Sequence, residues 1–229
     1  MEKGSTVGAH ILSGAVVDPI GLDRLTPEWR SDPECPLKTQ VAIDQFYYLT
    51  ETRAAPLPNW AMPKLMSNHG NFVGSLGAVA RWLGARAEAL GVEIYPGFAA
   101  TELLYGDLIR GTFAGGKRIA YGARVMASGG WQSAPKLVFP GGALIGCSAG
   151  FVNFARIKGS HNAILSGMLA AEKTREALAA GRANDELSDY ESSWRDSDIG
   201  RDLYKVRNVK PLWSRFGLVL GVGLGGFDM

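Results

Sequence analysis

Side chains that bind metals are scarce in this sequence. Its 229 residues include two cysteines, Cys35 and Cys147, and three histidines, none of which has a second histidine at metal-ligand spacing. Two cysteines cannot provide the four ligands of a zinc or iron–sulfur site, so the sequence excludes a cysteine-based metal site within these 229 residues. Beyond the count nothing supports a disulfide, and reduced thiols are expected.

Long apolar runs and a strong excess of one charge are also absent. No run reaches the roughly 18 apolar residues that a membrane-spanning helix needs. The N-terminal stretch MEKGSTVGAH lacks the apolar core of a signal peptide. The formal net charge of +2 is too small to indicate nucleic-acid binding, so no nucleic-acid partner is expected.

A glycine loop that could bind a phosphate between a strand and a helix is missing too. Gly221, Gly223 and Gly226 match the G-x-G-x-x-G pattern in GVGLGG, but only three residues follow them. The pattern indicates a dinucleotide site only where a strand precedes it and a helix follows it. We therefore predict no dinucleotide site at these glycines.

The elements that the sequence does predict are of both types, which indicates an α/β fold. Residues 26–66 contain six prolines and are predicted to be mostly loop with short extended pieces. Apolar periodicity predicts helices over residues 71–90, 160–180, 185–197 and 200–208. Predicted strands are VEIYPG, the pair TELLY and LIRGTF, and a short strand over residues 143–147.

A glycine-bearing loop, Gly146–Gly150, precedes the helix predicted to start near Ser160. Small residues repeat every fourth position along one face of this helix, at Gly159, Ala163, Gly167 and Ala171. Such a face serves either ordinary helix–sheet packing or the close approach of a flat ligand. Because the N–H groups and the positive dipole end of the helix point at the loop, the two features together favour a cofactor there.

Several stretches in order resemble one family, the electron-transfer flavoprotein–ubiquinone oxidoreductases. The resemblance rests on EKGSTVGAHILSGAVVDP, NHGNFVGSLGAVARWLGARAEALGVEIYPGFAATELLY, GGKRIAYGAR, FPGGALIGCSAGFVNFARIKGSHNAILSGMLAAE and LYKVRNVKP. It covers most of the sequence. It implies an α/β fold containing an FAD-binding domain of the glutathione-reductase type.

The resemblance also implies an activity, cofactors and a location. Members of this family take electrons from reduced electron-transfer flavoprotein and pass them to ubiquinone, using one FAD and one [4Fe–4S] cluster. They are peripheral proteins of the bacterial cytoplasmic membrane or of the matrix side of the mitochondrial inner membrane. The implied partners are therefore electron-transfer flavoprotein, ubiquinone and a membrane surface.

This sequence departs from the family pattern in three places. It begins after the family's first βα unit, and it stops before the cluster region. At LIRGTFAGGKRIAYGAR it joins two pieces that the family separates by a segment as long as a small domain. We therefore expect a fragment or internally deleted form, with residues 1–229 a single incomplete FAD-binding domain that lacks the first βα unit.

The resemblance assigns cofactor-binding residues in three places. Glu2 matches an acidic residue that binds the adenosine ribose, and Ser13 and Gly14 match a loop beside the flavin. The third place is the glycine loop with the helix start: Gly146, Cys147, Ser148, Gly150, Ser160 and Asn162. The Asn162 amide is expected to donate to the flavin C2 carbonyl. The alternative for Asn162 is helix capping, for which Ser160 is the better candidate. For Cys147 the alternative to a cofactor contact is an inert buried thiol.

Residues 44–66 match the membrane-facing segment that lines the family's quinone entrance, and residues 210–229 match the start of a C-terminal membrane-surface segment. The residues assigned to the quinone and membrane side are Phe46, Tyr47, Leu49, Leu57, Pro58 and Trp60. From composition alone, this aromatic segment has two interpretations, core packing or an exposed apolar surface for a membrane. No catalytic residue and no metal ligand is assigned.

Three functions remain open at this point. The first is FAD-dependent electron transfer to ubiquinone, with these 229 residues expected to be inactive alone. The second is a non-catalytic truncated remnant that binds membranes or partners through exposed apolar surface. The third is another flavoenzyme on the same FAD fold, such as a monooxygenase or a prenyl reductase.

Overall fold

The computed structural model describes residues 6–9, 11, 14–49, 53–94, 127 and 129–229. The helices are α1 (Ile20–Leu25), α2 (Leu76–Ala89), α3 (Ser160–Ala179), α4 (Ser188–Ser193), α5 (Asp198–Lys205) and α6 (Val209–Asp228). The strands are β1 (Ala15–Val17), β2 (Thr39–Gln40), β3 (Phe46–Leu49), β4 (Ala54–Leu57), β5 (Phe72–Gly74), β6 (Val138–Phe139) and β7 (Gly142–Ala143). Short 3₁₀ helices cover Pro27–Arg30, Asn59–Ala61, Lys64–Met66, Trp131–Ser133 and Gly146–Ala149.

The protein divides into two compact units. The first comprises the described residues of 1–17, 29–61 and 68–125, and the second those of 18–28, 62–67 and 126–229. Both helices and small antiparallel sheets are present, so the predicted mixture of α and β structure is confirmed at this coarse level. The glutathione-reductase type of the fold stays a prediction.

An antiparallel sheet of order β1–β5–β2 organises the first unit. Val73 in β5 lies opposite Val16 on one side and Thr39 on the other. The fully buried Trp29 meets Phe72 edge-on, with ring centroids 5.0 Å apart. An edge-to-face aromatic pair of this kind stabilises by about 0.5–1.5 kcal/mol beyond its buried area.

Helix α2 begins later than its periodicity predicts. Residues 72–74 pair with two strands, and Ser75 then caps the helix by accepting the N–H of Ala78 at 3.3 Å. The prediction of a helix over 71–90 was therefore wrong for its first five residues, because sheet pairing overrides the apolar pattern. Leu90, the last residue of the predicted helix, is 86% exposed, whereas Trp82 is buried.

Strands β3 and β4 form a separate antiparallel hairpin in the first unit. Phe46 is half-buried, and every other residue of the two strands is exposed. The side chains of β3 and β4 are thus mostly exposed rather than packed in a core, and the membrane role of this segment stays a prediction. The prediction that residues 26–66 are mostly loop with short extended pieces is confirmed, because only β2, β3, β4 and short 3₁₀ helices occur among the residues described there.

Helix α3 is the centre of the second unit, where it packs against α1, α4, α5 and the turn Gly146–Ala149. The core beside it is apolar and aromatic: Phe151 and Trp194 are fully buried, with ring centroids 4.9 Å apart. Gly21 lets α1 lie close to the first turn of α3, since a Cβ there would be 3.1 Å from the side chain of Ile164. This packing fixes the N-terminal turn of α3 in the unit.

The C-terminal segment is a helical hairpin that bends at Gly217. This glycine has φ 71° and ψ −172°, which interrupts α6. A Cβ on Gly221 would lie 2.6 Å from the Cα of Trp213, and one on Gly225 would lie 3.6 Å from the Cα of Val209. Small residues four apart let two helical segments approach closely.

Those contacts explain the glycine pattern that resembles a dinucleotide loop. Gly221 serves helix–helix packing, and the whole stretch GVGLGG lies inside a helix rather than between a strand and a helix. Asn208 Nδ2 joins the two ends of the hairpin by donating to Asp228 Oδ2 at 3.0 Å. Within the described part of the protein, no helix is both long enough and apolar enough to cross a membrane.

The remaining predictions from periodicity had mixed outcomes. Helix α3 confirms the helix over 160–180, and α4 and α5 confirm the helices near 185–197 and 200–208 with shorter bounds. The strand over 143–147 was wrong, because β7 ends at Ala143 and a 3₁₀ helix starts at Gly146. Residues 92–94 of VEIYPG form no strand. TELLY and LIRGTF lie outside the described residues.

Candidate functional site

The glycine loop before α3 is a tight turn in which two glycines have a left-handed backbone. Gly146 has φ 58° and Gly150 has φ 78°. The turn closes through two backbone hydrogen bonds, from Gly150 N to the Cys147 carbonyl and from Phe151 N to the Gly146 carbonyl, both 3.1 Å. A side chain at either glycine would be strained, so the conformation explains why glycine stands at both ends of the turn.

This turn rests on the first two turns of α3. Gly146 N donates to Ser166 Oγ at 2.9 Å, and that hydroxyl donates to the carbonyl of Ala163, also at 2.9 Å. A Cβ on Gly146 would lie 3.1 Å from the Cβ of Ala163. The loop and the helix start therefore form one interlocked element, the loop–helix junction, which we define as residues 146–166.

The small-residue face of α3 faces the loop for only half its length. A Cβ on Gly159 would be 3.1 Å from Val152, and one on Gly167 would be 3.9 Å from Ile145. Ala171, further along, is exposed. The face thus brings the helix close to a loop rather than to a sheet, and its cofactor role stays a prediction.

The N-terminus of α3 has no side-chain cap among the described residues. Gly159 occupies the N-cap position, and Ser160 is already the first helical residue. The capping alternative for Ser160 was therefore wrong. The first N–H groups of a helix have no partner inside the helix, so an uncapped end is where an anion or a polar ligand group is stabilised.

Asn162 is fully buried in the first turn of α3 and does not cap it. Its Nδ2 donates to the carbonyl of Phe151 at 3.0 Å and to Asp202 Oδ2 at 3.1 Å. Both contacts are with acceptors, so they fix which end of the amide is the nitrogen, and they use both of its hydrogens. Asn162 Oδ1 is the atom left without a hydrogen-bond partner among the described residues.

Asp202 of α5 is the centre of a polar network beneath the junction. One of its oxygens accepts from Asn153 at 3.0 Å, and the same oxygen lies 3.1 Å from His161 Nε2 and Asn162 Nδ2. Its other oxygen accepts from Arg156 at 3.1 Å. One carboxylate thus connects α5, the loop after the turn and the first turn of α3.

Arg156 carries this network to α1. Its guanidinium also forms an ion pair with Asp18, whose other oxygen accepts the N–H of Ile20 at the start of α1. Both side chains of this pair are largely buried. Burial would raise the pKa of Asp202, but the hydrogen bonds from His161 and Asn153 and the positive charge of Arg156 outweigh it and hold that pKa well below its usual range.

Three buried polar atoms of the network have no hydrogen-bond partner within the described residues. They are Arg156 Nε, His161 Nδ1 and Asn162 Oδ1. A buried polar atom without a partner costs about 1–3 kcal/mol. Three in one network mark the junction as a place where water or polar ligand atoms would be stabilised.

The structure brings only some of the predicted cofactor residues together. Gly146, Cys147, Ser148, Gly150, Ser160 and Asn162 all lie in the loop–helix junction of the second unit. Cys147 is a partly exposed free thiol, so the alternative of a buried thiol there was wrong, and Ser148 is exposed. Gly14, in the first unit, has φ 79° and open space where a Cβ would be. Glu2 and Ser13 lie outside the described residues.

Sequence reasoning missed Asn153, Arg156 and Asp202. A signal for Asp202 was present: it stands three residues after Ile199 and directly before Leu203, both buried, on a short helix. A carboxylate beside the apolar stripe of a helix is expected to have a buried partner. Asn153 and Arg156 carry no comparable pattern, because they lie in a loop.

The residues assigned to the quinone and membrane side lie on the β3–β4 hairpin and just after it. Tyr47, Leu49, Leu57 and Pro58 are exposed, and Trp60 is 87% exposed. Phe46 is half-buried. Among the described residues, no group of three or more His, Cys, Asp or Glu side chains is placed to hold a metal ion.

Curated proteins of one name are similar to this protein along its length. The electron transfer flavoprotein-ubiquinone oxidoreductase of Pseudomonas aeruginosa is 33% identical over 369 positions, which cover 100% of this sequence and 66% of that protein. The mitochondrial protein of that name from Dictyostelium discoideum is 30% identical, and the match covers 100% of this sequence and 62% of that protein. The one from Homo sapiens is also 30% identical, and the match covers 92% of this sequence and 57% of that protein. No family model matches.

Two facts about length accompany these similarities. The 229 residues span less than two thirds of the length of these relatives. The alignment with the Pseudomonas protein has 369 positions, so at least 140 positions of that protein face gaps in the 229-residue sequence.

Proposed function

Because this chain belongs to the electron transfer flavoprotein–ubiquinone oxidoreductase family, we propose that its function derives from FAD-dependent electron transfer from reduced electron-transfer flavoprotein to ubiquinone. The observation that carries this proposal is the similarity along the whole sequence to oxidoreductases of that one name from bacteria and eukaryotes. In the proposal, residues 1–229 are a single incomplete FAD-binding domain of the glutathione-reductase type.

The loop–helix junction is the part of the FAD site that we assign to the second unit. FAD supplies the redox chemistry when bound, and the protein binds and orients it. The junction fits a polar, anionic ligand in two ways: among the described residues, the start of α3 has no side-chain cap, and three buried polar atoms lack partners. Glu2, Ser13 and Gly14 remain the proposed contacts from the N-terminal part.

The proposed role of Asn162 changes with its geometry. Because both hydrogens of its amide go to Phe151 and Asp202, donation to the flavin C2 carbonyl would require one of those bonds to break. Its Oδ1 has no partner among the described residues, so Asn162 would instead accept from a donor such as the flavin N3–H. Asp202 is the positioning residue that holds the amide in this orientation.

Binding of FAD is the first test. The purified protein is titrated into FAD while flavin fluorescence and the visible absorbance bands are recorded. The proposal predicts saturable changes in both, because burial alters the environment of the ring. The matched comparison is Gly150→Val, which strains the left-handed position, against Gly223→Val, which lies on the open face of α6. Equal or absent binding in all three proteins would contradict the assignment to the junction.

The 229 residues alone are proposed to have little or no quinone-reducing activity. The support is the gap of at least 140 positions against the Pseudomonas relative, together with a cysteine count too low for the [4Fe–4S] cluster that the resemblance implies for the full-length family. A steady-state assay with reduced electron-transfer flavoprotein and a short-chain quinone tests it. Turnover at the rate of a full-length relative would contradict the proposal.

Membrane association is proposed through two exposed apolar segments, residues 44–66 and 210–229, at a bacterial cytoplasmic membrane or a mitochondrial inner membrane. Leu49 and Trp60 are well exposed in the first segment. If both side chains insert, Leu49→Ser with Trp60→Ser should weaken vesicle binding by about 2–5 kcal/mol. The control is Leu90→Ser with Val92→Ser, two exposed apolar residues after α2. Equal losses in both pairs would contradict the assignment.

A non-catalytic remnant is the second candidate function, because the exposed apolar surface does not depend on FAD. Vesicle binding without FAD binding would favour it. Another flavoprotein oxidoreductase on the same fold is the third candidate. FAD binding by a restored full-length form that accepts no electrons from electron-transfer flavoprotein would favour that third function.

A further inference from the structure

A pocket of about 360 Å³ opens in the second unit beside the start of α6. The residues that line it include Gly129, Gly130, Trp131, Arg207 and Lys210. Gly130 has φ 105° and open space where a Cβ would be, so the wall is backbone at that point. This volume is within the range of ligand pockets, about 300–1,000 Å³.

The two basic residues of the pocket belong to a positively charged segment. Residues 201–215 contain five basic side chains, namely Arg201, Lys205, Arg207, Lys210 and Arg215. The same segment has one acidic residue, Asp202, and that carboxylate is held by Arg156 and the polar network. Arg201 is paired with Asp198, and no acidic residue lines the pocket within the described residues, so the charge at the pocket itself is positive.

Exposed apolar side chains follow this basic segment directly. On α6, Phe216, Leu220 and Leu224 are exposed, and Phe227 is 95% exposed. Trp213 is partly exposed on the turn that also places Ser214 at the pocket. Basic residues beside an exposed apolar helix are the arrangement that favours an anionic bilayer, because apolar side chains enter the interface while cations meet the headgroups.

We propose that the pocket at Arg207 and Lys210 binds the phosphate-bearing headgroup of an anionic phospholipid while the adjoining helical hairpin rests on the bilayer surface. The inference rests on the proposed membrane association and adds its lipid selectivity. The excess of basic residues in 201–215 complements an anionic leaflet, and this favours a membrane lipid as the ligand. The two cations supply the donors at this site, because the N–H of Gly130 already donates to the carbonyl of Gly150 at 2.9 Å.

Flotation of the full protein with two kinds of vesicle tests the proposal. One kind is phosphatidylcholine alone, and the other is equal parts of phosphatidylcholine and phosphatidylglycerol. The protein should partition more strongly onto the anionic vesicles, and added salt should reduce that preference. Arg207→Gln with Lys210→Gln should weaken partition onto anionic vesicles roughly 10- to 30-fold, since each basic residue near the surface contributes about a factor of five. Partition onto neutral vesicles should not change.

The matched control is Arg81→Gln with Arg175→Gln, which removes the same charge from exposed positions on α2 and α3. Arg207→Lys with Lys210→Arg keeps the charge and should restore most of the preference, which separates binding from folding. If Arg207→Gln with Lys210→Gln and the control variant lost equal partition onto anionic vesicles, the proposal would be overturned.

Two further outcomes separate this inference from the membrane association on which it rests. Flotation with both kinds of vesicle to the same extent would overturn the headgroup site and leave membrane association standing. Flotation with neither would overturn both. A third outcome is that inorganic phosphate raises the thermal stability of the protein, that Arg207→Gln with Lys210→Gln abolishes this effect, and that the protein shows no preference for phosphatidylglycerol. This outcome would assign the pocket to free phosphate and overturn the lipid proposal.

Discussion

The two glycine-containing regions of the second unit are built in opposite ways. At the loop–helix junction, Gly146 and Gly150 have left-handed backbones and hold a turn against a polar network. In the C-terminal hairpin, Gly221 is helical and removes a side chain so that two helical segments touch. The polar network of the junction is largely buried and depends on hydrogen bonds, whereas the hairpin exposes apolar side chains.

The two regions are suited to different functions. A polar network with fixed donors and acceptors selects one ligand geometry, as a cofactor site requires. An exposed apolar hairpin with basic neighbours requires no single ligand geometry and suits binding to a membrane surface. The same residue type therefore indicates different functions, depending on its backbone angles and on what a Cβ would meet.

The largest expected effect is on the junction. Asp202→Asn removes the negative charge that the side chains of Asn153, Arg156, His161 and Asn162 contact. The free energy of unfolding should fall by about 3 kcal/mol, and the loss should not be larger because Asp18 still neutralises Arg156. Asp198→Asn, on the same helix, breaks only partly exposed ion pairs with Arg24 and Arg201 and should cost about 0–1 kcal/mol. Urea denaturation of both variants measures the contrast. Equal losses of unfolding free energy in the two variants would show that the buried network stabilises the fold no more than the exposed ion pairs do.

The stabilisation by Asp202 should depend on pH. The folded pKa of Asp202 is lowered, so its stabilisation is fully present above the unfolded pKa of about 3.9 and is lost as pH falls toward the folded pKa. The difference in unfolding free energy between wild type and Asp202→Asn should therefore be constant near neutrality and shrink below about pH 4. A difference that grew on acidification would contradict the sign of the shift.

A glycine substitution in the hairpin should have the next largest effect. Gly221→Ala places a Cβ 2.6 Å from the backbone of Trp213, so the segments must separate, which should cost about 1–3 kcal/mol. Gly223→Ala meets nothing within 4 Å on the same helix and should be neutral or stabilising by up to about 1 kcal/mol. Thermal unfolding of the two variants distinguishes them, and identical behaviour would rule out the close helix–helix contact.

The smallest effect is expected at the turn itself. Gly146→Ala combines a left-handed φ with a Cβ 3.1 Å from Ala163, and it should cost about 1–2 kcal/mol. Gly167→Ala, further along α3, has room for a Cβ and should stabilise the helix slightly. Denaturant titration compares them. A stabilised Gly146→Ala variant would show that the turn does not need its left-handed conformation.

The sequence predicted some features of these regions and not others. Periodicity located α3, α4 and α5, because their apolar stripes follow the helical repeat. It placed the start of α2 too early, since the apolar residues 72–74 suit a strand as well as a helix and pairing with β1 decided between them. It placed a strand at 143–147, where positive φ at Gly146 turns the backbone instead.

The candidate site was predictable only in part. The turn glycines and Asn162 were assigned from the family resemblance together with their place before and within a predicted helix. The Asp202 network was missed because its members come from Asp18 just before α1, from α3 and α5, and from the loop at Asn153. Contacts between residues about 40–140 positions apart leave no local pattern. The hairpin at Gly217 was missed because alternating Gly and apolar residues suit several structures.

Hydrogen–deuterium exchange tests whether the loop–helix junction contacts FAD. Peptides that cover residues 146–162 and residues 218–228 are compared with and without saturating FAD. We expect slower exchange in the first peptide and unchanged exchange in the second, because the turn and the first turn of α3 would lose solvent contact. Bound FAD that protects other segments but leaves residues 146–162 unchanged would contradict the claim.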